Sequence, residues 1–137
     1  MKPNKVVIRY IDGHILKGNT SDFFPNKDRF HLTRLDGKIE EIDVESLKAI
    51  FFVKDFEGDK DHKKNYGDVI HGAGRKIQVD FIDGESIIGY ALGYSPGRRG
   101  FFMTPGDMSG NNERIFVVTS ATKRIEFLKE AWGLIGE

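Results

Sequence analysis

Cysteine is absent from the 137 residues. Disulfides, thiol nucleophiles and cysteine-held zinc are therefore excluded. Net charge is absent as well, since Lys+Arg is 21 and Asp+Glu is 21. That excludes the bulk basicity of a general nucleic-acid binder, though not a local patch. No apolar run approaches the roughly eighteen residues that a membrane span needs. Met1-Lys2-Pro3-Asn4-Lys5 leads into a short alternating segment rather than the apolar core of a signal peptide. These features predict a cytoplasmic protein with no membrane contact.

Proline is scarce, at four, but glycine is plentiful, at sixteen, and eleven Phe, four Tyr and one Trp make the chain aromatic-rich. That mixture favours short strands with glycine punctuation over long helices. An internal repeat organises them. Lys5 to Thr33 aligns without gaps onto Lys76 to Thr104 at an offset of 71, with eight of 29 positions identical. Chance would give roughly two. Identity falls on turn residues such as Asp12-Gly13 and Asp83-Gly84, and on Gly18 and Gly89. Similarity falls on alternating apolar residues: Val6, Ile8 and Tyr10 against Ile77, Val79 and Phe81. The match resumes at Lys48 to Phe52 against Lys123 to Phe127 with an offset of 75, which places extra residues around Gly106 to Glu113.

Each copy reads as five strands. Period-two alternation puts Val6, Ile8 and Tyr10 inward on the first. Asp-Gly supplies the positive φ of a hairpin turn, and Gly18 or Gly89 lets the second strand bend. Phe30 and Leu32, or Phe101 and Met103, face inward on the third. Ile39 to Asp43 and Leu47 to Val53 complete the first copy. The expected organisation is an all-β chain with five-stranded repeats at 4–56 and 76–128, a polar linker at 57–75 and a tail at 129–137. The tail holds Trp132, Leu134 and Ile135 and is compatible with a short capping helix.

Strand, Asp-Gly, strand, Gly, aromatic, strand resembles the first motif of the Sm-like fold of Sm proteins and the bacterial RNA chaperone Hfq. The resemblance covers about 50 residues in each copy and implies two tandem small β-barrels. The string Leu16-Lys17-Gly18, Asp22-Phe23-Phe24-Pro25-Asn26-Lys27 and Leu47 to Lys54 resembles an uncharacterised bacterial family, which brings no activity with it. RNA binding does not carry over residue by residue. Asp28-Arg29-Phe30-His31-Leu32 lacks the Asn with which Sm proteins hold uracil. Asp43-Val44-Glu45-Ser46 and Thr119-Ser120-Ala121-Thr122 stand where those families place basic pairs.

No catalytic constellation emerges, so the expectation is a protein that is not an enzyme and needs no cofactor or metal. Asp59-Lys60-Asp61-His62 reads as a solvated linker rather than a cation site. His31 reads as an outer-face side chain rather than a general base. Arg98-Arg99 followed by Asp107-Met108-Ser109-Gly110 resembles the cyclic-di-GMP-binding PilZ signature, but with the wrong spacing.

Two readings remain. In the first, the chain is an interaction or adaptor module that binds a protein partner or itself. Its sign is a difference between the copies: Val7, Phe51 and Val53 point outward from copy one, where copy two has Gln78, Glu126 and Leu128. Such an apolar stripe marks a contact, or is covered within the chain by the linker, the other copy or the tail. In the second reading, Lys27, Arg29, Arg98, Arg99 and Arg114 bind nucleic acid or a nucleotide phosphate, with nearby aromatics stacking bases. Residues 1–56 hold ten basic and nine acidic side chains, and residues 76–137 hold seven and eight. Neither copy is basic, so the first reading is favoured. Monomer or dimer ranks above a three-chain ring, because Gln78 and Glu126 make the two outer faces unequal.

Overall fold

Among the described residues the alternating segments form ten short strands, each antiparallel to its neighbours. The computed structural model describes residues 3–56, 74–91, 94, 97–105 and 112–128. The first half holds β1 (Asn4–Tyr10), β2 (Ile15–Thr20), β3 (Arg29–Arg34), β4 (Ile39–Asp43) and β5 (Leu47–Val53). The second holds β6 (Arg75–Phe81), β7 (Ser86–Ala91), β8 (Gly100–Pro105), β9 (Asn112–Val118) and β10 (Thr122–Phe127). A single 3-10 turn precedes the last strand of each half, at Val44–Ser46 and Thr119–Ala121.

Turn chemistry explains the hairpins. Gly13 and Gly84 sit at φ +99° and +95°, a region that side chains avoid. Asp12 and Asp83 accept from the backbone N–H of His14 and Glu85, which closes each turn. Gly18 and Gly89 are more than bends. A Cβ at either would run into the carbonyl oxygen of Thr33 or Thr104 on the adjoining strand, so β2 and β7 approach β3 and β8 at backbone distance.

The strand order is β10-β6-β7-β8-β9-β5-β1-β2-β3-β4. Each half therefore has the same internal order: last strand, first, second, third, fourth. The expectation of two separate barrels is corrected at this level, because the ten strands make one sheet that is not closed. The reason lies at β5. Its outer edge pairs with β9 of the other half, Ala49 opposite Val117 and Phe51 opposite Ile115. Those backbone groups are thereby used and do not close on β4.

Two cores flank this seam, and each borrows from the other half. Val6, Ile8, Phe30, Leu32, Ile50 and Phe52 pack with Phe116 and Val118 of β9. Ile77, Val79, Phe81, Phe101, Met103 and Ile115 pack with Ala49, Phe51 and Val53 of β5. Strand alternation produces the exchange, since every second residue of β5 and of β9 points across the seam. The inward readings of Val6, Ile8, Phe30, Leu32, Ile77 and Val79 agree with this placement. Phe127 of the last strand lies 36% exposed at the sheet edge, with the Arg75 guanidinium 4.0 Å from its ring centre.

Strand β6 begins at Arg75, one residue earlier than the expected boundary. The linker at 57–73, the tail with Trp132, Asp59 to His62 and Asp107 to Gly110 lie outside the described residues. Among the described residues no helix is long and apolar enough to cross a membrane.

Candidate interaction surfaces

The outward apolar stripe of the first half is covered, and the second half covers it. Phe51 and Val53 are 5% and 4% exposed inside the second core, and Val7 packs against that core half-buried. As a surface open to an outside partner, Val7, Phe51 and Val53 are therefore corrected. They form a contact within the chain.

An ionic cluster closes one end of the seam. Lys48 stands inside the apolar run Leu47 to Val53, at a β-bulge. Arg9 pairs with Ala49 and Tyr10 with Leu47, which leaves Lys48 as the extra residue. The bulge turns Lys48 toward the second half, where its Nζ donates to Asp83 Oδ2 at 2.7 Å and to Glu85. Lys48 is 5% exposed. Arg9 adds a 3.3 Å contact to Glu85 and lies over the Phe51 ring. The hydrogen bond from Lys48, then that from the Glu85 backbone N–H, holds the Asp83 carboxyl below its usual range. Sequence reasoning passed over Lys48, although a lysine amid six apolar residues was a visible signal.

The loop at 21–28 closes the other end with aromatics. Phe23 packs edge-on against Phe30 and Phe52 of its own half and against Phe102 and Phe116 of the other. Asp28 pairs with Arg99, which holds the equivalent position in the second half.

The five cations offered for phosphate binding fall into different settings. Arg29 donates to Glu41 at 2.8 Å. Arg99 is held by Asp28. Arg114 lies over the rings of Phe52 and Phe102, at 4.2 and 4.8 Å. Lys27 lies 4.9 Å over Phe24, which is 46% exposed. Arg98 is exposed in the turn before β8.

Among the described residues the sheet ends at β4 and β10, and the repeat shows how these ends differ from the seam. The β3–β4 register pairs Phe30 with Ile42, and the β8–β9 register pairs Phe101 with Val117. Position 41 thus matches 116, 43 matches 118 and 31 matches 102. At the seam these places hold Phe116, Val118 and Phe102. At the free end they hold Glu41, Asp43 and His31. Likewise Val7, Ala49 and Phe51 at the seam answer to Gln78, Arg124 and Glu126 at the β10 end. Both outer ends carry polar side chains where the inner junction is apolar.

Those polar groups find partners within the chain. His31 Nδ1 lies 2.7 Å from Asp22, and its backbone N–H donates to the same carboxylate at 2.8 Å. Burial by itself would raise the Asp22 carboxyl, but the bonds from the His31 side chain, the His31 N–H and Thr20 outweigh it and hold it low. At the far end Arg124 and Glu126 pair at 3.1 Å, with 64% and 44% of their side chains exposed.

A family model described as "Family of unknown function (DUF6982)" matches residues 2–129. No curated protein and no solved structure matches the chain.

Proposed function

The chain belongs to this family of unknown function (DUF6982), and from that premise we propose that it is a non-enzymatic interaction module. In this reading two Sm-like halves bind a protein partner or a second copy of the chain, in the cytoplasm of a bacterium. The observation that carries the reading is the seam itself. One half adds β9 to the β5 edge of the other, and each core takes side chains from the facing strand. Strand addition with side-chain insertion is a general way for sheets to bind. The identical strand order of the two halves supports the Sm-like reading.

A second reading, nucleic-acid or nucleotide-phosphate binding, rests on Lys27 beside the exposed Phe24, with Arg98, Arg99 and Arg114 as further cations. It is weakened because Arg29 and Arg99 already hold carboxylates. Fluorescence anisotropy with short RNA and DNA oligonucleotides at low salt separates the two. The module reading predicts no binding. Binding that falls steeply with salt would move the function to the second reading.

A further inference from the structure

We propose that β10 is a docking edge for a second copy of this chain, joined strand to antiparallel strand about a two-fold axis at Ile125. The proposal deepens the module reading and rests on it.

A strand at the end of a sheet leaves one row of backbone N–H and C=O groups unpaired, and such a row is a template for another strand. Among the described residues this sheet has two ends, and their sequences dispose them differently. Strand β4 reads Ile39-Glu40-Glu41-Ile42-Asp43. A two-fold centred on Glu40, Glu41 or Ile42 always sets carboxylate opposite carboxylate. Like charges directly opposite across a strand pair are destabilising, so β4 repels itself.

Strand β10 reads Thr122-Lys123-Arg124-Ile125-Glu126-Phe127. A two-fold at Ile125 sets Arg124 opposite Glu126 of the second copy, and does so twice. It also sets Lys123 opposite Phe127 twice, an ammonium beside an aromatic ring. Arg124 and Glu126 already share one face at 3.1 Å and are more than two-fifths exposed. The second copy would complete a ring of four alternating charges. No rearrangement of β6 is needed, because β10 uses its other edge for β6.

The alternative junction, β4 of one chain on β10 of the next, would repeat the inner seam. The seam pairs Phe51 with Ile115. Its equivalent would pair Glu126 with Glu40 and would drive Arg124 and Glu126 toward a core, where the seam has Ala49 and Phe51. That junction is opposed by charge, so open-ended or ring growth is not favoured and a closed two-fold pair is.

Light scattering coupled to size-exclusion chromatography on the full chain tests this. The wild type is expected at twice the mass of the chain. Arg124→Glu alone and Glu126→Arg alone each place like charges across the axis, and each is expected to weaken dimerisation about tenfold or more. Mixing the two single variants restores opposite charges at both contacts, and an equimolar mixture is expected to run as a heterodimer. The double variant Arg124→Glu with Glu126→Arg is expected to dimerise as well. Both rescues exclude misfolding as the cause of the single-variant loss. A wild type that stays monomeric at high concentration, a three-chain particle, or a dimer indifferent to both single variants would overturn the proposal. The module reading is judged separately by the oligonucleotide titration. A monomer that ignores oligonucleotides sinks only the β10 dimer, and steep salt-sensitive binding by a dimer sinks only the module reading.

Discussion

Lys48 donates to Asp83 Oδ2 at 2.7 Å across the seam, from a side chain only 6% exposed to a carboxylate 42% exposed. The cation sits in the protein and its partner at the surface. The bridge therefore offsets the desolvation of Lys48 more than it adds net attraction. A carboxyl held below its unfolded value, near pH 4, contributes stability that is complete above that pH and is lost as pH falls through the folded value. Acid should therefore weaken this end of the seam.

Replacing both partners, Asp83→Asn with Glu85→Gln, leaves Lys48 buried without a carboxylate. We expect a loss of about 2 kcal/mol, less than for a fully buried pair because solvent screens the acids. In a Lys48→Met background the same double change should cost less than about 0.5 kcal/mol. Urea unfolding of the four proteins checks this, and equal costs in both backgrounds would show that Lys48 is not what the acids serve.

Phe51→Ala empties a place in the second core from a strand of the first. The expected cost is about 3–5 kcal/mol by thermal or urea unfolding, the range for a buried aromatic. A change within measurement error would remove Phe51 from the seam.

Gly89→Ala and Gly13→Ala separate two roles of glycine. At Gly89 the new methyl meets the Thr104 carbonyl oxygen, and backbone cannot step aside. At Gly13 nothing lies within 4 Å, and only the positive φ opposes the change. Gly13→Ala should cost about 1 kcal/mol, and Gly89→Ala clearly more. The reverse order of melting temperatures would contradict the close approach of β7 and β8.

Asp22 is held low by His31 and Thr20, so its contribution is present above about pH 4 and fades below it. Asp22→Asn should destabilise near neutral pH, and the gap to the wild type should narrow as the medium is made acidic. A gap that stays constant with pH would mean that the carboxylate is not the group at work.

Much of this architecture is legible from residues alone. Alternation located Val6, Ile8, Ile77 and Val79 in the cores, and Asp-Gly located the positive-φ turns. The contrast of Phe51 with Glu126 marks a contact face from the sequence alone. The partner strand was not legible, because period two tells which residues share a face but not which strand lies beyond it. The matching contrast of Phe116 with Glu41 was hidden by the shift of offset from 71 to 75 between the copies. Lys48 was overlooked because its burial depends on a bulge, and a bulge changes which way one residue points without altering the apolar pattern around it.

The central claim is that the two halves are one folding unit, joined by β5 and β9. Native-state hydrogen exchange on the full chain tests it most directly. Amides of β5 and β9 in the Ala49–Val117 to Phe52–Arg114 register should be among the slowest to exchange, opening with the same free energy as the strands of both cores. Exchange at β9 and along β5 as fast as at the β4 and β10 edges, with both cores still protected, would contradict the claim and leave two independent halves.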